Sequence, residues 1–188
     1  MKRYFFLFFL FVFGLMVRAQ ERDWSVEAYY PVSIGESFGS SNEGLLGLGV
    51  KYRFAEWGKA RVGVALDGVW FATTFINDSD PIQEEKYRDF FLQPRLFAEL
   101  PLTSSEKLWL TGNLGWSFNR STRDPAFFDT NGRVQGKDLN NGPSLGLGLR
   151  YDFAPRWFLG ADTQWIFLSG DSPSRTVGLG KIGVGFRF

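Results

Sequence analysis

The chain of 188 residues contains no cysteine and no histidine. Without cysteine it can form neither a disulfide framework nor a thiolate metal site, and it lacks the residue through which lipoproteins are anchored. Without histidine it lacks the commonest general base and the commonest metal ligand. The sequence therefore predicts no catalytic centre, no metal site and no cofactor.

An excess of charge of one sign is also missing. Lys and Arg number 21 against 20 Asp and Glu, so no basic field predicts a nucleic-acid partner. The chain is instead rich in aromatic residues, at 18%, and in glycine, with 22 residues. Both amounts exceed ordinary usage in soluble domains.

Long apolar runs are scarce, and the single one lies at the start of the chain. Lys2 and Arg3 precede an apolar run over residues 4–17, and small residues at Val17 and Ala19 fit the positions that signal peptidase recognises. We predict a cleaved signal peptide over residues 1–19 and an exported domain over 20–188; an uncleaved anchor is the alternative. After Ala19 no run approaches the ~18 apolar residues of a membrane-spanning helix. If the exported domain enters a membrane, it must do so as strands.

The exported domain alternates between apolar and polar residues with a period of two. In residues 143–153, Leu145, Leu147 and Leu149 share one face, while Arg150 and Asp152 share the other. The pattern predicts eight strands, at 24–34, 44–54, 60–75, 87–100, 108–119, 143–153, 157–168 and 176–188. Most reach the ~9–11 residues that a tilted strand needs to cross a bilayer.

The predicted connections alternate in length along the chain. The long ones are 35–43, 76–86, 120–142 and 169–175, and the short ones are 55–59, 101–107 and 154–156. Longer external loops and short periplasmic turns are typical of transmembrane barrels. The fold predicted is all-β: a single closed antiparallel up-and-down transmembrane barrel of about eight strands.

A barrel in lipid has an apolar outer face and a polar inner face. The predicted interior polar network consists of Glu27, Lys51, Arg53, Asp67, Arg95, Glu99, Arg150, Asp152, Asp162, Lys181 and Arg187. An eight-stranded barrel is barely wide enough to be filled by its own side chains, so we expect paired charges to plug it. A narrow ion path is the alternative.

Aromatic residues gather at both ends of the predicted strands, where amphipathic rings favour the headgroup level. The group near the short turns comprises Trp24, Tyr52, Phe54, Trp57, Trp109, Tyr151, Phe153, Trp157, Phe186 and Phe188. The group near the long loops comprises Tyr30, Trp70, Phe71, Tyr87, Phe90, Trp116, Phe118, Trp165 and Phe167. They predict two belts around an apolar band.

The last strand carries the most specific signal. Ile182, Val184, Phe186 and Phe188 share one face, and Phe188 ends the chain. This strand resembles the C-terminal assembly signal of outer-membrane proteins, and the whole exported domain resembles the outer-membrane β-barrel domain family, in particular the small OmpA/OmpX-type barrels. The resemblance implies the outer membrane of a Gram-negative-type bacterium, contact with outer-membrane lipid and lipopolysaccharide, and the barrel-assembly machinery as partner during biogenesis. Barrel enzymes of this class use a catalytic histidine, which this chain lacks.

The expected role is structural or surface-binding, through external loops that meet an extracellular ligand or protein partner. The candidates in the long third loop are Arg123, Phe127, Phe128, Arg133 and Lys137. Two alternatives remain at this stage. One is a narrow channel for ions or small solutes, and the other is a secreted, soluble, lipocalin-like barrel with an apolar interior and a polar exterior.

Overall fold

The computed structural model describes residues 23–35, 42–77, 83–128, 134–169 and 176–188, and the side chains in these ranges except those of 75–77, 83–85, 123–128 and 134–137. The predicted signal peptide lies outside the described residues. Eight strands are formed: β1 (Trp24–Ile34), β2 (Glu43–Trp57), β3 (Ala60–Asn77), β4 (Gln83–Pro101), β5 (Leu108–Phe128), β6 (Val134–Asp152), β7 (Trp157–Phe167) and β8 (Thr176–Arg187). Within the described ranges the chain forms no helix long and apolar enough to cross a membrane.

The strands follow one another around a closed antiparallel barrel. β8 returns to pair with β1, so that Ser25 lies opposite Arg187 and Glu27 opposite Gly185. Closure pairs β1 with β8, the two strands that would otherwise be edges. In hydrocarbon this pairing is required, because no water is present to bond unpaired backbone groups. The predicted fold is confirmed.

The three strands β4, β5 and β6 are much longer than predicted. β5 has 21 residues, and β6 has 19. Most of the predicted loop 120–142 is therefore strand: Thr122 lies opposite Lys137 and Phe128 opposite Val134, with a register shift between Thr122 and Phe127. The apolar–polar alternation stops at residue 119 because beyond that point neither face of the sheet needs to meet lipid, although backbone pairing continues.

The predicted contrast between loop lengths holds for four of the seven connections: 35–42 and 168–175 are longer than 58–59 and 153–156. It is wrong for the other three, since the β3–β4 and β5–β6 connections span only 78–82 and 129–133, whereas the β4–β5 connection at the other end spans 102–107. The two barrel ends also differ in strand extension. At the short-turn end, β2 and β3 are joined by Gly58 and Lys59, and Gly58 adopts a φ of 63° that favours glycine.

Apolar side chains cover the outer wall. In β6, Leu145, Leu147 and Leu149 point outward and are 39%, 54% and 49% exposed, while Ser144 and Arg150, which flank this run on the other face, are buried. This is the reverse of a soluble protein and the arrangement expected of a barrel surrounded by hydrocarbon. It is also the opposite of what the lipocalin-like alternative requires.

Three aromatic residues assigned to the belts lie on the inner face instead: Tyr87, which is half-buried on the face of β4 that Asp89 shares, and two that are fully buried. Trp109 is 2% exposed and Phe71 is 1% exposed. Trp109 shares its face of β5 with Thr111, and its indole Nε1 donates to the carbonyl of Glu106 at 2.7 Å. The belt assignment was wrong for all three because it used nearness to a strand end and ignored the alternation that places them on the inner face.

Candidate functional site

The inner face of the barrel near the short turns holds an ion cluster, here called the lower cluster, which comprises Arg53, Glu99, Arg150, Asp152 and Arg187. Glu99 is fully buried and accepts from Arg53 through both carboxylate oxygens, at 2.8 Å from Nε and 3.1 Å from Nη2. Arg150 forms an ion pair with the same carboxylate and donates from Nε to Asp152 at 3.2 Å. Asp152 also pairs with Arg187. Four different strands thereby converge on one network.

Two of the aromatic residues that face inward, Trp109 and Phe158, pack against the lower cluster. The guanidinium of Arg150 lies 4.6 Å from the ring centre of Trp109 and 5.6 Å from that of Phe158. Such cation–π contacts gain strength where water is excluded. Trp109 therefore stabilises a buried arginine and is not a membrane-interface residue.

A central cluster lies farther from the short turns. Lys51 Nζ lies 2.7 Å from Glu27 Oε1. Asp67 pairs with both Arg95 and Lys181, the latter at 3.2 Å, and Lys181 also donates to Gln93 Oε1 at 3.0 Å. These charges are almost completely shielded from solvent, so each needs its partner.

Asp162 is the one member of the predicted network that forms no ion pair with any described residue. It lies opposite Lys181 in the β7–β8 register, but the lysine side chain reaches Asp67 instead. The Asp162 Oδ1 atom is buried without a hydrogen-bond partner among the described residues, beside a cavity of about 30 Å³ that Glu27 and Arg150 also line. The other ten predicted residues are all joined in ion pairs.

An apolar layer fills the outer half of the lumen, which the sequence analysis did not anticipate. It consists of Tyr29, Val69, Phe71, Phe91, Ile166, Leu168, Val177 and Leu179, all of which are buried. The alternation contained the signal, since Val69 shares a face with Asp67, and Leu179 shares one with Lys181. Packing of this layer separates the central cluster from the outer end of the barrel.

The outer ends of β3 to β6 extend beyond their neighbours and form what is here called the outer sheet: residues 73–77, 83–87, 122–128 and 134–140. Pairing of β2 with β3 reaches only Ala72, and pairing of β6 with β7 begins at Ser144, with one isolated bridge at Asn141. Among the described residues, the outer sheet therefore has an unpaired edge on each side.

The loop candidates lie on or beside this sheet. Arg123, Phe127 and Phe128 belong to the end of β5, and Lys137 to the start of β6, whereas Arg133 lies outside the described residues. The side chains of the four that belong to strands also lie outside the description. The β5–β6 register brings the backbones of 122–128 and 134–137 together.

The residues of the predicted assembly signal line the outer wall of β8. Ile182 is 65% exposed and Val184 is 38% exposed, whereas Phe186 and Phe188 are half-buried. The Phe186 ring packs edge-on against Trp157, with 4.9 Å between ring centres. The Phe188 amide donates to the carbonyl of Trp24 at 3.2 Å, at the seam where the last strand meets the first.

Comparison with known proteins supports the architecture. No family model matches the sequence, and no curated protein is similar to it in sequence. Among solved structures, the chain is similar to Ail, the attachment invasion locus protein of Yersinia pestis, solved in complex with the heparin analogue sucrose octasulfate; the TM-score is 0.57 and the identity 17%, over 88% of this chain and 96% of that one. The fold is that of small outer-membrane β-barrels.

Two further structures agree. Neisserial surface protein A (NspA) gives a TM-score of 0.58 at 13% identity, covering 87% of this chain and 94% of that one. The outer membrane protein OprG of Pseudomonas aeruginosa gives 0.56 at 13% identity, covering 88% and 95%. With so little identity the likeness concerns the fold, and the apolar wall shows independently that the barrel is suited to a membrane.

Proposed function

We propose that this chain is an integral outer-membrane protein whose barrel anchors the outer sheet at the cell surface, where the sheet binds an extracellular partner. The observation that carries the proposal is the length of β5 and β6. A strand needs ~9–11 residues to cross the bilayer, and β5 has 21. About half of the strand is therefore available beyond the membrane.

The outer sheet suits a binding role because backbone pairing joins its four strands. At ~3.3 Å per residue, the ten or so residues that β5 does not need for crossing span roughly 30 Å along the strand. Pairing of the hairpin shifts register after Thr122 and resumes at Phe127 and Phe128, which lie opposite Gln135 and Val134. Loops and strand ends held by a rigid scaffold usually carry function. The unpaired edges add backbone donors and acceptors that an extended peptide can meet.

The filled lumen supports an anchoring role over a transport role. Two ion clusters and an apolar layer occupy successive levels of the described interior, and an eight-stranded barrel has little more room to offer. A continuous path for ions would have to pass all three levels. The proposal includes no enzymatic activity, since the chain has no histidine to act as the usual base.

A shortened hairpin tests the proposal. Thr122 and Lys137 lie opposite each other, so replacing residues 123–136 with Asn-Gly joins them by a two-residue turn that fits an antiparallel pair. The full chain and the shortened variant are refolded in detergent, and their folding is compared by heat-modifiable gel migration. Both are then applied to surfaces coated with heparin, chosen because Ail was solved with a heparin analogue.

We expect the full chain to bind heparin and the shortened variant to lose affinity by about tenfold or more, as expected when a central contact region is removed. Equal binding by the two proteins would remove the hairpin from the function. Failure of the full chain to bind heparin would count against the proposed surface-binding role.

A further inference from the structure

We infer that the outer wall of β4 and β5 holds a binding site for a phosphorylated, multiply acylated lipid of the outer leaflet. The inference rests on the outer-membrane location in the proposed function, but it concerns a different surface from the outer sheet. Two features on the same two strands carry it: a pair of outward-facing arginines and an apolar groove below them.

The arginine pair consists of Arg88 on β4 and Arg120 on β5. Both are exposed, and both lie on the outward face of their strands, which Leu92 and Phe118 share. Phe90 is opposite Arg120, and Thr122 is opposite Arg88, so the two arginines are diagonal neighbours. Diagonal neighbours in an antiparallel pair have Cα atoms about 7–8 Å apart, which allows one phosphate to contact both guanidinium groups.

Within the described part of the chain, neither arginine has an acidic partner. Their register neighbours on the adjacent strands are Ala72 and Thr122 for Arg88, and Phe90 and Leu139 for Arg120. Asp89 is nearby in sequence but is buried on the inner face. Among the described side chains, the two cations therefore share one small outward surface with no acid beside them, an arrangement that favours an anion joining them.

An aromatic belt beside the pair sets its level in the membrane. Phe90 packs against Trp70, with 4.8 Å between ring centres, and Trp116 and Phe118 are exposed on the same outer wall. Aromatic rings favour the interface between hydrocarbon and headgroups. Arg88 lies just outside this belt, and Arg120 lies at its outer edge, so both side chains reach the phosphate level of a lipid.

The groove lies farther into the membrane on the same strands. Its lining includes Leu96, Ala98, Gly112, Leu114 and Leu147, and its volume is about 530 Å³. Leu96 and Leu114 stand on its sides at 59% and 67% exposure. Its floor at Gly112 is open, since a Cβ there would meet only Leu147 Cδ2, at 3.9 Å.

The separation of the two features matches one lipid molecule. Six residues separate Arg120 from Leu114 along β5, or about 20 Å, and strand tilt reduces this to roughly 15 Å of depth. An acyl chain reaches that far below its phosphate. A second copy of this chain fits less well, because a symmetric dimer through this face would bring two arginine pairs together at one level.

The experiment measures the binding of lipid A to the full barrel in detergent by native mass spectrometry. The test variant is R88Q/R120Q. Its matched control is K59Q/R156Q, which removes the same charge from exposed positions in the short turns at the opposite end. A third variant, G112L, fills the groove without removing charge. Heat-modifiable migration reports folding of each protein.

We expect the wild type and K59Q/R156Q to bind lipid A equally, and R88Q/R120Q to lose about tenfold or more in affinity, as expected when charge-assisted hydrogen bonds to phosphate are lost. G112L should weaken binding by a smaller factor. Lipid A stripped of its phosphates should bind wild type as weakly as lipid A binds R88Q/R120Q, and inorganic phosphate should not displace the lipid.

Several results would overturn the inference: equal lipid A binding by wild type and R88Q/R120Q, equal binding of the stripped lipid, displacement by free phosphate, or a lipid-independent dimer that G112L disrupts. Heparin binding by R88Q/R120Q separates the two proposals. If heparin binding persists while lipid A binding proves independent of the arginines, only the lipid site fails.

Discussion

Replacement of Glu99 by glutamine tests whether the lower cluster stabilises the barrel. The substitution keeps the size of the side chain but removes the charge that pairs with Arg53 and Arg150. Both guanidinium groups are at most 5% exposed, so water cannot replace the lost carboxylate. Breaking a buried ion pair from one side typically costs about 3–5 kcal/mol, because an uncompensated charge remains.

In the Glu99→Gln variant, Arg53 and Arg150 each keep at least one hydrogen-bond partner, so the expected loss of unfolding free energy lies near the lower end of that range. Arg150 keeps Asp152 at 3.2 Å, and Arg53 keeps the Ser25 hydroxyl at 3.2 Å. We therefore expect the Glu99→Gln barrel to lose about 3 kcal/mol of unfolding free energy, or roughly 150-fold in the folding equilibrium. The measurement is urea-induced unfolding in detergent micelles, followed by tryptophan fluorescence.

Glu56→Gln is the matched control. Glu56 pairs with Arg61 at 3.1 Å, but its side chain is 69% exposed, and such surface pairs contribute less than about 1 kcal/mol. A second variant, Glu99→Gln with Arg53→Met, removes one of the stranded charges and should recover part of the loss. The reasoning would be refuted if Glu99→Gln unfolded within about 1 kcal/mol of the wild type, or if both single variants lost the same amount.

Four further predictions follow from the structure. Gly183→Ala should destabilise the barrel by about 1–3 kcal/mol in the same assay, because its Cβ would overlap the Ala28 carbonyl oxygen. Gly160→Ala, directly opposite in the register, has open space around its Cβ and should be neutral. Leu147→Arg on the lipid-facing wall should cost about 2–4 kcal/mol of unfolding free energy in lipid vesicles; a neutral result would argue against its depth in the membrane. Deletion of Phe188 should lower the amount of folded barrel in the outer membrane of cells while detergent refolding is retained, and unchanged cellular levels would remove its role as an assembly signal. Wild-type protein in a planar bilayer should show no conductance, because three packed levels close the described lumen; stable single-channel steps would overturn that account.

Most of what could be predicted of the fold came from the alternation of apolar and polar residues along the strands. A lipid-facing wall needs apolar residues at every second position, so β1 and the starts of β3, β5, β7 and β8 were located correctly from sequence alone. Beyond about residue 120, β5 is longer than a bilayer crossing requires, so neither face has to match hydrocarbon and the constraint disappears. The part of β5 that extends to Phe128 therefore shows no alternation of apolar and polar residues from which a strand could be predicted.

The same physics explains what was predictable inside the barrel. The inward position of each predicted charged residue followed from alternation and from the cost of placing a charge in hydrocarbon. The partners did not follow, because residues brought together by closure are far apart in sequence: Lys181 reaches Asp67 rather than Asp162, which lies opposite it on the neighbouring strand. The belt assignment of Trp109 and Phe71 was wrong because it followed from their aromatic character. Their positions in the alternation along the strand place both side chains on the inner face.

By itself, the sequence determined which side chains must face lipid and which must face inward, since that choice depends only on position along a strand and on the chemistry of each residue. Tertiary structure alone decided which charges meet, that an apolar layer closes the outer half of the lumen, and that four strands extend beyond the rest. The reason is that these features depend on register and closure between distant strands, which set distances that no local pattern of residues contains.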